Sequence, residues 1–300
     1  NLSNYLKPLG FQYENVWRLD LSANQDTVEV AAKLENIGKR LKAYSQIESV
    51  SRMSGNVPFS ANQMSNGFRY KDKDISPDHY VTDAEIFKTL DIPFVSGKGY
   101  TIADRSLKYT PVVINKALQD FLFGNENPIG KIMKRQDDEM RIVGVVERFK
   151  AKGEFMDDKP AVFELMAADS KWYSNFLIKI KPGVDANFEA QLVKDIAAMT
   201  KDWGIEVSYL SESRKTRSNL TMVPVIIFLV VSGFLLSNVA LGLFGILNLN
   251  IIYLDSLSKE VKSINKETPF KTYLDAESLV DDMKADVDIK IEKIDYQIEG

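Results

Sequence analysis

Apolar positions follow two periods along the chain before giving way to one unbroken apolar run. Residues 17–22 (WRLDLS) alternate apolar and polar, the pattern of a half-buried strand. Residues 26–44 then place Val28, Val30, Ala31, Leu34, Ile37 and Leu41 on one side of a helix, and residues 47–53 read as a strand again. The same β–α–β pattern recurs later. Residues 176–182 form a strand stopped at Pro182-Gly183, residues 187–200 a helix, and residues 205–210 a closing strand. Two such units, far apart in sequence, are expected to pair into one split β-α-β sheet, an α+β fold. The stretch between them is richer in strands, at 111–115, 141–146 and 161–165, and reads as an inserted strand-rich subdomain over about residues 80–173.

The apolar run covers residues 220–254, and no charged residue occurs from 218 to 254. A spanning helix needs about 20 apolar residues at ~1.5 Å each to cross a ~30 Å hydrocarbon core. The run is longer, so a helix here is expected to project beyond the bilayer at one or both ends. Each Leu, Ile, Val or Phe favours insertion by roughly 0.3 to 0.6 kcal/mol. Pro224 sits near the start of the run, where a missing N–H costs little. Gly233, Ser237 and Ala240 share one helix face, and Asn238, Gly242 and Gly245 a neighbouring one. Small residues allow close helix approach in lipid and Asn can bond across an interface, so both faces are expected to pack on partner helices. Arg214, Lys215 and Arg217 precede the run, and Lys259, Lys262 and Lys266 follow it. The positive-inside rule weakly favours the preceding side as cytoplasmic, but it loses force beside large domains. The expected organisation is a domain over 1–215, a stalk and transmembrane helix over 216–254, and an acidic tail over 255–300.

Composition narrows the chemistry. The net charge of −4 and the lack of a basic stripe with interleaved aromatics argue against nucleic acid as a partner. The absence of cysteine excludes disulfides, thiolate metal sites and cysteine nucleophiles. The chain starts at Asn1 without an apolar leader, so it is expected to be a trimmed chain or a fragment.

Specific motifs lie in the inserted region. Residues 111–133 (PVVINKALQDFLFGNENPIGKIM) and 141–150 (RIVGVVERFK) resemble the extracytoplasmic core domain of the MacB/FtsX/LolCE class of ABC transporter permeases. In that class a strand ending in Asn, here Asn115, leads into a short helix. An Asn-Pro-Ile-Gly-Lys loop follows, here Asn127, Pro128 and Gly130, and then a Val-Val-Gly-Val-Val-type strand, here with Gly144. Upstream, Gly97-Lys98-Gly99-Tyr100 stands where the class has a Gly-Arg-Gly-Phe turn. Residues 238–251 are similar to its second transmembrane helix. The loop also has its own physical logic: Pro128 restricts Asn127 to extended geometry, and Gly130 permits a turn that a β-carbon would hinder.

The resemblance implies a non-catalytic permease subunit with no cofactor, in the bacterial inner (cytoplasmic) membrane, with residues 1–215 extracytoplasmic. It implies a separate cytoplasmic ABC ATPase, a second permease subunit in a dimer, and periplasmic partner proteins. ATP-driven closure of the ATPase would be relayed through the helices to the outer domain, for export or extraction of a lipoprotein, peptide or amphipathic drug. The class's basic Lys/Arg-Glu-Ile-Gly stretch is not found after Ile252. The alternative reading is a membrane-anchored extracytoplasmic ligand-binding sensor whose acidic tail signals.

Other candidates reduce to structural roles. Gly124 to Gly130 has the wrong spacing for a phosphate loop, and Ile132 replaces its Ser or Thr. His79, the single histidine, has no zinc or triad partners at a recognisable spacing and is expected on the surface. Asp137, Asp138 and Glu139, and likewise Asp157 with Asp158, lack calcium-loop spacing and are expected at solvated hairpin tips, as are Asp281 and Asp282 in the tail. Trp172, Tyr173 and Phe176 are expected to pack in the core, with an apolar groove as the other use. Met53, Phe59, Met64 and Phe68 lie in a loop-like stretch that is a candidate contact for apolar partners.

Overall fold

The first alternating segment of the chain is sandwiched between the two strands from its far end. In the computed structural model, residues 2–26, 28–267, 280–281 and 283–285 are described. The order opens with α1 (Leu2–Tyr5), β1 (Val16–Ser22), α2 (Val30–Lys42) and β2 (Ile47–Met53). Next come β3 (Phe68–Tyr70), β4 (Lys73–Ile75), β5 (Asp78–Thr82), α3 (Ile86–Thr89) and β6 (Phe94–Gly97). Then follow β7 (Thr110–Asn115), α4 (Lys116–Phe123), β8 (Ile132–Arg135), β9 (Asp138–Val146) and β10 (Ala161–Leu165). The chain returns through β11 (Asn175–Ile180), α5 (Ala186–Met199) and β12 (Gly204–Tyr209) into α6 (Leu210–Glu267).

The strands form one mixed sheet in the order β12-β1-β11-β2-β5-β10-β7-β9-β8-β3-β4, with β6 added on β9. Its first four strands are the two β-α-β units interleaved. β1 pairs antiparallel with both β12 and β11, and β11 pairs antiparallel with β2. The expected split sheet is therefore present. Leu34, Ile37 and Leu41 of α2 and Phe188, Leu192 and Ile196 of α5 cover it in a common core with Leu19, Phe176 and Ile178. A single register pair, Met53 with Thr82, joins these four strands to the rest of the sheet. There β10 runs parallel to β5, β7 runs parallel to β9, and α4 packs on top through Leu118, Leu122 and Phe123. A third core joins the two halves around Tyr80, Phe87, Phe149 and Phe163.

Several local expectations change. The helix after β1 starts at Val30 rather than residue 26, because Asp26 is used elsewhere. Its carboxylate accepts from Lys33 Nζ (2.6 Å), Trp203 Nε1 (2.8 Å) and the Val28 amide (3.0 Å), tying the α2 entrance to the start of β12. Those bonds, that of Lys33 largest, hold its pKa down at about 2. Met53, Phe59 and Phe68 are buried and Met64 is half-buried, so this stretch supplies core rather than an exposed Met-rich loop.

Asn1–Val225 forms one compact unit and Ile226–Gly300 a second. The helix α6 starts at Leu210, well before the apolar run, and continues to Glu267. Pro224 therefore lies in its interior rather than near its start. The stretch Leu210–Ser263 is long and apolar enough to cross a bilayer, with a mean hydropathy of 2.5 in its most apolar window and none of that window buried. Ser237 Oγ donates to the Gly233 carbonyl and Asn238 Nδ2 to that of Phe234, both at 2.8 Å, within the helix itself. Among the described residues, nothing lies within 4 Å of a β-carbon built on Gly233, Gly242 or Gly245. The beginning of the expected tail, from residue 255 to 267, is helical, with a Lys259–Asp255 ion pair at 2.7 Å. Asp281 is exposed. Asp282 and most of the tail lie outside the described residues.

Candidate coupling site

The helix α6 follows β12 without a linker, so its first residues belong to the domain's core. Leu210 is fully buried among Phe11, Val16, Phe59 and Leu177. One turn on, Arg214 places its guanidinium 4.9 Å from the centre of the Tyr13 ring and bonds Glu154 through Nε and Nη2. The Glu154 side chain is only 11% exposed, so this pair is shielded from water on one side and should outweigh an ordinary surface ion pair.

The loop between β9 and β10, residues 147–160, grips this root together with residues 2–13. Lys150 is buried, and its ammonium donates to the carbonyls of Asn4 and Glu154, both at 2.5 Å. Burial pushes its pKa below the ordinary lysine value. Its backbone N–H also donates to Leu9 (2.9 Å). Gly10 has φ +89°, and a β-carbon there would lie 2.2 Å from the Arg148 carbonyl oxygen, so only glycine lets the two segments touch. Asp157 accepts from Asn4, and Asp158 pairs with Lys7 (3.0 Å) and Arg148 (3.4 Å). These two carboxylates are anchors for the N-terminal segment, not a solvated hairpin tip. Asp138 and Glu139, by contrast, are exposed at the β8–β9 hairpin, as expected.

Asn115 ties β7, α4 and β10 together. Buried at the end of β7, it accepts from the Leu118 amide (3.1 Å) as the N-cap of α4 and from the Ala161 amide (2.9 Å) at the start of β10. Its Nδ2 donates to the Lys159 carbonyl (2.7 Å). After α4 the chain turns at Asn127, whose side chain accepts from the Ile129 amide (3.1 Å), and Pro128. Gly130 has φ +83°, and its amide donates to Ile142 (2.8 Å), docking the corner onto β9. A β-carbon on Gly144 would come 2.4 Å from the Lys98 carbonyl oxygen, so glycine there permits β6 to lie against β9.

A cleft of about 520 Å³ opens beside β5 and β10, lined by Asn66, His79, Arg135, Glu164, Trp172 and Tyr173 among others. His79 forms its floor, and at 1% exposure it is not a surface residue. Its ring bonds Asn66 (2.6 Å) and Glu164 (2.7 Å), and Glu164 also pairs with Arg135. Despite burial, the His79 and Arg135 contacts hold the Glu164 pKa below its ordinary value. Trp172 stands at the rim, 79% exposed rather than in the core. The buried guanidinium of Arg52 holds its loop by bonding the Ser170 and Tyr173 carbonyls. Phe176 is the one member of that aromatic trio in the core.

The family model for the MacB-like periplasmic core domain matches residues 10–195. The chain belongs to this family. The MacB-like domain here is thus an ABC-transporter permease-type periplasmic domain, followed by an apolar helix, in a membrane protein. A second model, for SipL, SPOCS domain, matches residues 243–299, a stretch that ends outside the described residues. A search of the curated proteins found no match. Two solved structures are similar at low identity. One is the periplasmic region of MacB from Actinobacillus actinomycetemcomitans: 17% identity, TM-score 0.49, 72% of this chain and 98% of that one. The other is the extracellular domain of the noncanonic ABC-type transporter YknZ from Gram-positive bacteria: 16% identity, TM-score 0.45, 63% and 99%.

Within the MacB-like domain, the motif residues Asn115, Asn127, Pro128, Gly130 and Gly144 all lie from the end of β7 through β9. The helix-face residues Gly233, Ser237, Asn238, Ala240, Gly242 and Gly245 lie in the second unit. Sequence reasoning missed the root itself. Arg214 read only as a charge flanking the apolar run, and its partners Tyr13 and Glu154 come from distant segments that share no local pattern with it.

Proposed function

We propose that this chain is the permease subunit of an ABC transporter, relaying motion from a cytoplasmic ATPase through transmembrane helices to its extracytoplasmic domain. A second permease subunit would complete the membrane part, and the cargo would be a lipoprotein, peptide or amphipathic drug exported or extracted from the membrane. One observation carries this reading: the helix that would cross the membrane is rooted in the domain core, with Leu210 buried and Arg214 clamped by Glu154 and Tyr13. A flexible tether would let the helix move alone; a buried root and a short clamp oblige the domain to follow it.

The test uses the chain extended to its natural ends, co-purified with its ATPase and reconstituted in nanodiscs. All three tryptophans, Trp17, Trp172 and Trp203, lie in the domain, so their emission reports on it alone. ATP binding should change that emission, and Arg214→Leu should abolish the change while ATP is still hydrolysed. Failure to recover any ATPase with the chain, or an undiminished response in the variant, would remove the proposal.

The cleft beneath Trp172 supports the sensor as a second reading, since a concave site with an aromatic rim and a few convergent polar groups is a ligand-site form. A saturable small-molecule stabilisation lost in Trp172→Ala, in a chain that recruits no ATPase, would favour it.

A further inference from the structure

Arg217 is the last charged residue before the charge-free stretch 218–254. At ~1.5 Å rise per residue it stands about 5 Å of helix ahead of Leu220. Its side chain lies over Gly153, 4.0 Å from where a β-carbon would be, next to Lys152. The Lys152 ammonium donates to the carbonyls of Ser60 (2.8 Å) and Asn62. Burial and then the neighbouring Arg217 charge hold its pKa below the ordinary value, with Asp78 opposing. Among the described residues, no carboxylate forms an ion pair with either cation. The other end of the same short loop carries Phe155, whose ring lies 5.2 Å from that of Tyr5. Tyr5 is 41% exposed and Leu6, beside it, 77% exposed.

One short loop therefore links two neighbouring cations, neither in an ion pair among the described residues, to an exposed aromatic and an exposed leucine, just ahead of the apolar run of α6. Lysine and arginine gain from anionic headgroups, while Leu and Tyr gain from the headgroup–acyl boundary. We propose that Tyr5, Leu6, Lys152 and Arg217 form a docking surface for anionic phospholipid in the membrane from which α6 emerges. Lys152 and Arg217 take the phosphates, and Leu6 enters the boundary. The proposal rests on the reading of α6 as a spanning helix.

The chain has no cysteine, so a single introduced one can be labelled selectively. Leu6→Cys, carrying an environment-sensitive fluorophore, is placed in the full chain in nanodiscs and quenched with brominated phosphatidylcholine or brominated phosphatidylglycerol. Gln25→Cys serves as a distant control, since its turn lies beside Asp202 at the end of β12 remote from α6. Phe234→Cys reports on the apolar run. The expected result is strong quenching at position 6, little at 25, and a preference for the phosphatidylglycerol quencher. Arg217→Gln should cut that preference roughly fivefold, the share of one cation near an anionic surface. Equal quenching at 6 and 25 with Phe234→Cys quenched would overturn the docking surface and leave the spanning helix intact. An unquenched probe at 234 would remove the spanning helix, and the proposal with it. A probe at 6 shielded from aqueous iodide yet untouched by brominated lipid would mean a protein occupant, and would also overturn it.

Discussion

Truncating Asn115 to alanine tests whether one side chain holds the junction of β7, α4 and β10. The substitution removes three hydrogen bonds, to the Leu118 amide, the Ala161 amide and the Lys159 carbonyl. Loss of an N-cap costs about 1 kcal/mol. The Ala161 amide is buried and would be left without a partner, a further ~1–3 kcal/mol. Lys159 is exposed and its carbonyl can turn to water, so it adds little. The expected total is about 2–4 kcal/mol. Asn115→Ser keeps an oxygen within reach of the Leu118 amide but is too short for Ala161, so it should recover only the cap, ~1 kcal/mol. Urea titration of the full chain in detergent, followed by tryptophan emission, measures both, because all three tryptophans belong to the domain. A loss under about 1 kcal/mol for Asn115→Ala would show that the three contacts are not holding the junction, since a bare N-cap alone should cost that much.

Three further outcomes follow from the geometry. Gly144→Ala drives a β-carbon into the Lys98 carbonyl and should cost about 1–3 kcal/mol, which thermal melts against the native chain measure. Asp26 has a folded pKa of about 2 against 3.8, so its contribution is complete above the unfolded value and is lost as pH falls through the folded one. Between pH 5 and pH 2 (roughly this window), Asp26→Asn should therefore show a shallower fall in melting temperature than the native chain. Pro224→Ala supplies an amide that the Leu220 carbonyl can accept, and hydrogen exchange should show that new amide protected and its neighbours slowed.

Much of the fold is written in local periodicity. Leu34, Ile37 and Leu41 announced a helix, and residues 17–22 a strand, because each segment buries one face and that face is set by local spacing. Asn115 was legible through the resemblance, which places an Asn before the short helix, and its cap to Leu118 is local, though its bonds to Ala161 and Lys159 are not; Gly130 was legible because a turn at positive φ is local. His79 was not. Its partners Asn66 and Glu164 come from a loop and from a strand 85 residues on, so its burial depends on the parallel pairing of β5 with β10. Met53, Phe59 and Phe68 misled for a related reason: the surrounding Ser, Asn and Gly look solvated, yet long-range packing seals the apolar side chains. The short strands β3 and β4 carry no burial alternation and gave no signal. Arg214 and Pro224 were misplaced because the helix was equated with its apolar part, and polarity does not mark where a helix begins.

The direct passage from Tyr209 to Leu210 fixes how a load would enter the sheet. β12 is an outer strand joined to β1 by six register pairs, from Trp17–Tyr209 to Ser22–Gly204. The component of tension acting along β12 strains those six pairs together, in shear, rather than peeling them one after another. Under the proposed relay, each pull along β12 would then be shared across the whole β12–β1 ladder instead of falling on one pair at a time.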